Sequence, residues 1–190
     1  MHLLTKRFLG IHLVEHYFDI ETTGLNPEYD KVLTVQVQQM TGRTGELIGE
    51  MEILKEWELS EKQLLERTIP RLTCGRPFDF IIIGKNLSFD FMFLSKRAER
   101  HRLKGMDLKC VHNRAFLDLK HVLVMINEGN FKGYDKLLKK ARQVNEQIPE
   151  LYRQGKYDEI TQYIKEEAGI FIEAYQKLRK EMPSLARHLT

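Results

Sequence analysis

The sequence predicts an α/β chain: a mixed five-stranded sheet with helices on both faces. The order of elements points there first, because three extended runs are followed by a helix, a strand, a helix, a strand and then helices alone. The run Phe80-Ile81-Ile82-Ile83 is continuously apolar, as expected of a strand covered on both sides. Finally, neither a Ser/Gly-rich linker nor an internal repeat divides the 190 residues, so the expectation is a single domain over 1–190.

Val14 to Ile20 (VEHYFDI) is rich in β-branched and aromatic residues and stops at Thr22-Thr23-Gly24, ahead of Asn26-Pro27, which makes it a strand leading into a turn. Lys31 to Met40 alternates Val32, Thr34 and Gln36 against Leu33, Val35 and Val37. A turn containing Gly42 and Gly45 then leads into Glu46 to Leu54, and the pair reads as a meander. Ser60, with Gln63 in the capping-box position, opens a helix from Glu61 to Leu72 striped by Leu64, Leu65 and Ile69. Asp79 to Gly84 is the apolar strand, and Ser88 is expected to cap a helix reaching Leu103, with Phe89, Met92 and Phe93 on one stripe. Arg114 to Leu119 reads as a short strand, and Lys120 to Glu128 and Tyr134 to Val144 as short helices about a Gly129–Gly133 turn. From Asp158 to Glu181, Ile160, Ile164, Ala168, Phe171, Ile172, Tyr175 and Leu178 recur at three- and four-residue spacings. That is a long amphipathic helix, expected to end at Met182-Pro183.

Composition excludes several classes. With 42% apolar and 30% charged residues the chain is globular and not disordered. No window holds the roughly 18 to 20 apolar residues of a membrane helix, and the start carries charges where a signal peptide needs an apolar run, so the expected location is cytoplasmic, without a membrane partner. Two distant cysteines, Cys74 and Cys110, exclude a disulfide framework and a cysteine-rich zinc site. The formal net charge of +3 is unevenly spread: eight Lys or Arg lie between Lys96 and His121, and seven Glu between Thr44 and Pro70. One basic and one acidic side are expected, the basic one a candidate for phosphates or simply a solvated helix surface.

Three features bear on chemistry. Asp19 and Glu21 stand two apart at the end of the first strand, so both carboxylates project to one face beside an open turn. Adjacent carboxylates at neutral pH share a proton or bind a hard divalent cation, Mg²⁺ or Mn²⁺. Asp90, in Gly84-Lys85-Asn86-Leu87-Ser88-Phe89-Asp90, occupies the first turn of a helix where α/β proteins place their sites. Tyr163 and Glu167 share a face of the last helix at i and i+4. Each also has a bland reading as a surface acid or a dipole-favoured one. His12-Leu13-Val14-Glu15-His16 spells the pattern of inverted zinc metallopeptidases, but on a strand four residues span about 13 Å, too far for two ligands of one ion. His2, His101 and His188 have no ligand spacing, and Trp57, Tyr152 and Tyr157 receive no role.

Taken in order, Phe18-Asp19-Ile20-Glu21-Thr22-Thr23-Gly24-Leu25, Gly84-Lys85-Asn86-Leu87-Ser88-Phe89-Asp90 and Tyr163-x-x-x-Glu167 resemble the three motifs of the DnaQ-like (DEDD) 3′–5′ exonucleases. The tyrosine in the third motif resembles the DEDDy branch, which includes polymerase proofreading domains. The resemblance spans residues 14 to 180 and implies an RNase H-like fold. It also implies that Asp19, Glu21, Asp90 and Glu167 hold two divalent ions, Mg²⁺ or Mn²⁺, for in-line displacement at phosphorus at the 3′ end of nucleic acid, DNA being favoured. Tyr163 would orient the attacking water, while Thr22, Leu25, Asn86 and Phe89 would meet the substrate, with Leu25 as a wedge at the terminal base. Single-stranded 3′ ends are the implied partner, and a protein acting in trans is a further one; DNA against RNA and the oligomeric state stay open. The family carries Asp where this chain has Glu167. The alternative is therefore a non-catalytic nucleic-acid-binding module whose metal site is degraded at Glu167; an RNase or junction-resolving activity is a third reading.

Overall fold

The computed structural model describes residues 14–42, 44–73, 80–104, 115–138 and 147–186. Five strands form one sheet: β1 (Val14–Thr22), β2 (Val32–Thr41), β3 (Leu47–Lys55), β4 (Phe80–Gly84) and β5 (Phe116–Asp118), in the spatial order β3-β2-β1-β4-β5. β1 pairs antiparallel with β2 and parallel with β4, β2 is antiparallel to β3, and β4 is parallel to β5. The sheet is thus mixed, as the element order implies, and β1 lies at its centre.

Alternation along β1 divides the core. Phe18 and Ile20 pack with Leu64, Leu65 and Ile69 of α1 (Glu61–Thr73) and with Phe91, Phe93 and Leu94 of α2 (Leu87–Arg100). Tyr17 points to the other face, against Ala168, Phe171 and Ile172. That face carries α3 (Leu119–Ile126), α4 (Ile148–Arg153) and α5 (Tyr157–Ala186). A 3-10 turn, Tyr134–Leu138, follows α3. Helices therefore cover both faces, and β2 is buried along most of its length rather than on one side only. Strand geometry also holds at His16, inside β1, which disposes of a helical His-x-x-Glu-His site; His12 lies outside the described residues.

Some boundaries differ from the sequence reading. Ser60 does cap α1: its hydroxyl accepts from the Gln63 N–H at 3.3 Å and meets the Gln63 side chain at 3.3 Å. Ser88 does not cap α2, which begins at Leu87 behind Asn86. α5 runs through Met182 and Pro183 to Ala186, because a proline near the end of a thirty-residue helix removes one backbone bond without disturbing the packed turns before it. The α4 helix follows no stripe long enough to read from sequence. Asp79, Arg114 and the stretch 139–144, with Cys74 and Cys110, lie outside the described residues. Among the described residues no helix is long and apolar enough to cross a membrane.

Candidate active site

The C-terminal half of β1 places Asp19 and Glu21 on the face shared with Tyr17, because side chains two apart on a strand project the same way. They border a cleft of about 440 Å³. Thr22 and Leu25 continue its rim: the Thr22 hydroxyl donates to the Gly24 carbonyl at 2.6 Å, and Leu25 is 81% exposed. Behind them, Asp30 accepts from the Asn26 N–H at 2.9 Å and from the Thr23 hydroxyl at 3.2 Å, which fixes the turn that carries Leu25.

The opposite wall is the turn from β4 into α2. Gly84 is required there, since a Cβ would stand 2.6 Å from the Phe18 carbonyl oxygen and 2.5 Å from a Leu87 methyl. Asn86 follows in the left-handed region, at φ 64°, which Asn tolerates better than most residues. Its side chain makes no cap to α2. The cap comes instead from Asp118 at the end of β5, whose carboxylate accepts from the Asn86 N–H at 2.8 Å, the Leu87 N–H at 3.0 Å and the Lys120 N–H at 2.9 Å. Lys120 closes the loop by donating to the Asn86 side-chain oxygen at 2.8 Å. So braced, the turn presents Asn86 and Phe89 to the cleft, with Phe89 packed on Phe93 at 5.5 Å between ring centres.

Asp90 sits one turn into α2, is only 3% exposed and lines the same cleft. Burial pushes its carboxyl well above the usual carboxylate range, and the charges of Asp19, Glu21 and Asp118 push it further. The same field reaches two phenols. Tyr17 is raised by burial, then by Asp19, Glu21 and Asp90, and hydrogen-bonds Asp19; Tyr163 is raised by burial, then by Glu21 and Asp19. Both phenols stay protonated at neutral pH, as donors.

Tyr163 donates its hydroxyl to Glu167 on the facing turn of α5, and Glu167 lines the cleft. Glu166, the competing acid in the sequence, is exposed and accepts from Gln162 at 2.7 Å on the solvated side. All nine residues singled out from the sequence thus come together: eight line the cleft, and Tyr163 joins through Glu167. Sequence reasoning gave no site role to Tyr17, Lys85 and Pro149, which also line it, or to Asp118. For Tyr17 a signal existed, since it stands two residues before Asp19 on the same strand face.

Two features bear on whether a hard cation fits. The Oδ2 atom of Asp90 is buried with no hydrogen-bond partner, an expensive state for a carboxylate oxygen unless something positive meets it. The cleft's acids are all oxygen donors, the chemistry Mg²⁺ and Mn²⁺ take. Among the described residues no three His, Cys, Asp or Glu are already close enough to form a finished ligand set. The chemistry of the donors fits a hard cation, although the carboxylates are not drawn together into a ligand set.

Among the described residues, one member of the basic segment turns inward and two are paired. Arg97 is 7% exposed and spends its guanidinium on Glu61, at 2.7 and 2.6 Å, and on the Pro27 carbonyl at 3.0 Å. Lys96 pairs with Glu99 at 3.1 Å and Arg100 with Glu28 at 3.6 Å. Residues 105–114 of that segment lie outside the described residues. Trp57, Tyr152 and Tyr157 pack against one another, Trp57 and Tyr157 stacked with ring centres 4.7 Å apart and Tyr152 tilted against both.

Comparison with known proteins places the fold. An uncharacterized protein of Methanocaldococcus jannaschii is 30% identical over 135 residues, covering 70% of this chain and 66% of that one. E. coli exonuclease I in complex with a dT13 oligonucleotide superposes with a TM-score of 0.61 at 14% identity, over 93% of this chain and 43% of that one. A structure of exonuclease I without ligand gives 0.50 at 17% identity, over 64% and 32%. At such identities the likeness is one of fold, and the chain spans less than half the length of those enzymes. A family model of the RNase H superfamily matches residues 16–168, from the first carboxylate strand to the helix that bears Glu167, and the chain belongs to that superfamily.

Proposed function

We propose that the protein is a metal-dependent 3′–5′ exonuclease of the DEDDy type, hydrolysing phosphodiester bonds at the 3′ end of single-stranded nucleic acid, DNA in preference. The observation that carries this reading is the convergence of Asp19, Glu21, Asp90 and Glu167 on one cleft, where burial and then the charges of Asp19 and Glu21 raise the proton affinity of Asp90. The fold it shares with exonuclease I, solved with a dT13 oligonucleotide and with single-stranded DNA, supports the substrate class.

Asp19, Glu21, Asp90 and Glu167 would hold two divalent ions, Mg²⁺ or Mn²⁺, which when bound supply a nucleophilic hydroxide and stabilise the leaving 3′ oxygen. The chain's own residues do the positioning. Tyr163, a protonated phenol that donates to Glu167, accepts a hydrogen bond from the attacking water through its oxygen and so orients it. Tyr17 holds Asp19 from within the sheet. Leu25, 81% exposed on the rim, packs against the terminal base, while Thr22, Asn86 and Phe89 bound the path of the last nucleotide. Lys85, on the same wall, offers a cation to a substrate phosphate.

The test is digestion of 5′-labelled single-stranded DNA, duplex DNA and RNA with Mg²⁺ or Mn²⁺. A ladder shortening from the 3′ end is expected. Asp19→Ala removes a ligand that supports transition-state charge, and the rate falls roughly 100-fold or more. Glu167→Asp retains a carboxylate on the cleft and stays within about tenfold of the parent. Absence of any metal-dependent product from every substrate, with nucleic-acid binding intact, would replace this reading by that of a non-catalytic binding module.

A further inference from the structure

Of the six buried side-chain atoms that lack a hydrogen-bond partner among the described residues, one is Asp90 Oδ2 in the cleft and three sit on β2 directly beside the acids of β1: Thr34 Oγ1, and both Nε2 and Oε1 of Gln36. Gln36 is the most anomalous. It is 0% exposed, and a primary amide with donor and acceptor both unsatisfied is one of the costliest groups to bury. Its position gives the anomaly a direction. Gln36 is the antiparallel register partner of Asp19, and Thr34, also 0% exposed, is the partner of Glu21. Directly opposed residues on an antiparallel pair project to the same face with Cβ atoms about 4.5–5.5 Å apart, within reach of a side-chain hydrogen bond. On the outer side Gln36 pairs in register with Ile53, which offers it nothing polar.

The neighbouring glutamine serves as an internal control. Gln38 lies on the same sheet face two residues on, is 3% exposed, and donates from Nε2 to the carbonyls of Gln39 at 2.9 Å, Ile48 at 3.1 Å and Gly49 at 3.4 Å. One buried amide is thus satisfied by the sheet edge, while the one behind the acids is not.

We propose that Gln36 is a positioning residue, whose Nε2–H donates to the carboxylate of Asp19 when a divalent cation is bound and turns its other oxygen toward that cation, with the Thr34 hydroxyl serving Glu21 in the same way. The inference rests on the proposed metal site and adds to it a polar layer on β2. Outer partners of this kind fix ligand orientation, and their loss typically lowers metal affinity 10–100-fold. A group held for the loaded state contributes nothing to the empty one, so removing the amide relieves the metal-free protein while weakening its grip on metal.

The experiment pairs Mn²⁺ titration calorimetry with thermal unfolding in chelator, on the full chain. Gln36→Met, nearly isosteric and apolar, is expected to melt at or above the parent without metal and to bind Mn²⁺ roughly 10–100-fold more weakly. Thr34→Val is expected to behave alike, and it keeps the test open if Gln36→Met fails to fold. Gln38→Met is expected to do the reverse, melting lower with Mn²⁺ affinity within about threefold of the parent. If Gln36→Met and Thr34→Val bind Mn²⁺ like the parent while Asp19→Ala does not bind, the positioning role is overturned and the metal site stands. If the parent itself takes up no Mn²⁺, the metal site fails and the positioning role falls with it.

Discussion

Glu61 is the residue on which most of the frame depends. As the first residue of α1 it accepts from the Arg97 guanidinium at 2.7 and 2.6 Å, the Val32 N–H at 2.8 Å and, through Oε2, His101 at 2.8 Å. It thereby joins α1, α2 and β2, while Arg97 reaches on to the Pro27 carbonyl in the turn beside the cleft. Both members of the pair are buried, at 8% and 7% side-chain exposure, so Glu61→Ala leaves a desolvated guanidinium without its partner and is expected to cost about 3–5 kcal/mol, read from urea denaturation. Burial alone would raise the Glu61 carboxyl, but the hydrogen bonds from Arg97, His101 and Val32 outweigh it and hold the pKa below the ordinary 4.5. A lowered folded-state pKa contributes stability that is complete above that ordinary value and is lost as pH falls through the folded one. The parent is therefore expected to lose stability more steeply than Glu61→Ala below about pH 4.5. Parallel curves from pH 6 to pH 3 would contradict this. The sequence shows Glu61 as the start of a helix within an acidic stretch and Arg97 as part of a basic face, because charge patterning along a chain does not reveal which charges fold inward.

At the scale of elements, the turn between β4 and α2 shows where local pattern stops being informative. Ser88 carries the residue type of a cap, yet α2 is capped by Asp118, more than thirty residues further along, because β5 lies parallel to β4 and ends level with the turn. A cap delivered across a sheet leaves no signature in the segment it serves. The same carboxylate caps α3 through the Lys120 N–H, so one side chain starts two helices. Asp118→Ala is expected to destabilise the fold by roughly 1–2 kcal/mol in thermal unfolding. It should also speed amide exchange at Asn86 and Leu87 selectively, with the cleft wall loosened as a result. Uniform exchange across α2 would show that the turn does not depend on this cap. By contrast, the capping box of α1 and the apolar stripe of α5 were legible because every partner lies within one or two turns of sequence.

For the molecule as a whole, the sheet and the cleft were legible for one shared reason. Alternation along β1 assigns Phe18 and Ile20 to one core and Tyr17, Asp19 and Glu21 to the other face, so the strand that organises the fold also aims the acids. What the sequence leaves out is the balance of charge once those acids meet: Asp90 is buried among Asp19, Glu21 and Asp118 with one oxygen unpartnered. Its raised proton affinity means that the charged form of Asp90 opposes folding, a burden that starts as pH rises past the ordinary carboxylate value and is complete above its folded pKa. The cation proposed for the cleft would remove that opposition. A ligand that binds only the folded state at 100 times its Kd adds about 2.7 kcal/mol, which for a chain of this size raises Tm by roughly 5–11 °C. Scanning calorimetry is therefore expected to show Mn²⁺ or Mg²⁺ raising Tm, while Ca²⁺-free chelator returns it to the metal-free value. Asp90→Asn removes the charge without changing the shape, and so should melt roughly 2–4 °C above the parent in chelator yet gain nothing from metal. A variant that melts lower in chelator and still responds to Mn²⁺ would show that Asp90 stabilises the fold by packing and that the cation binds elsewhere. The opposite signs of the two effects in one variant separate repulsion among acids from simple loss of a buried contact.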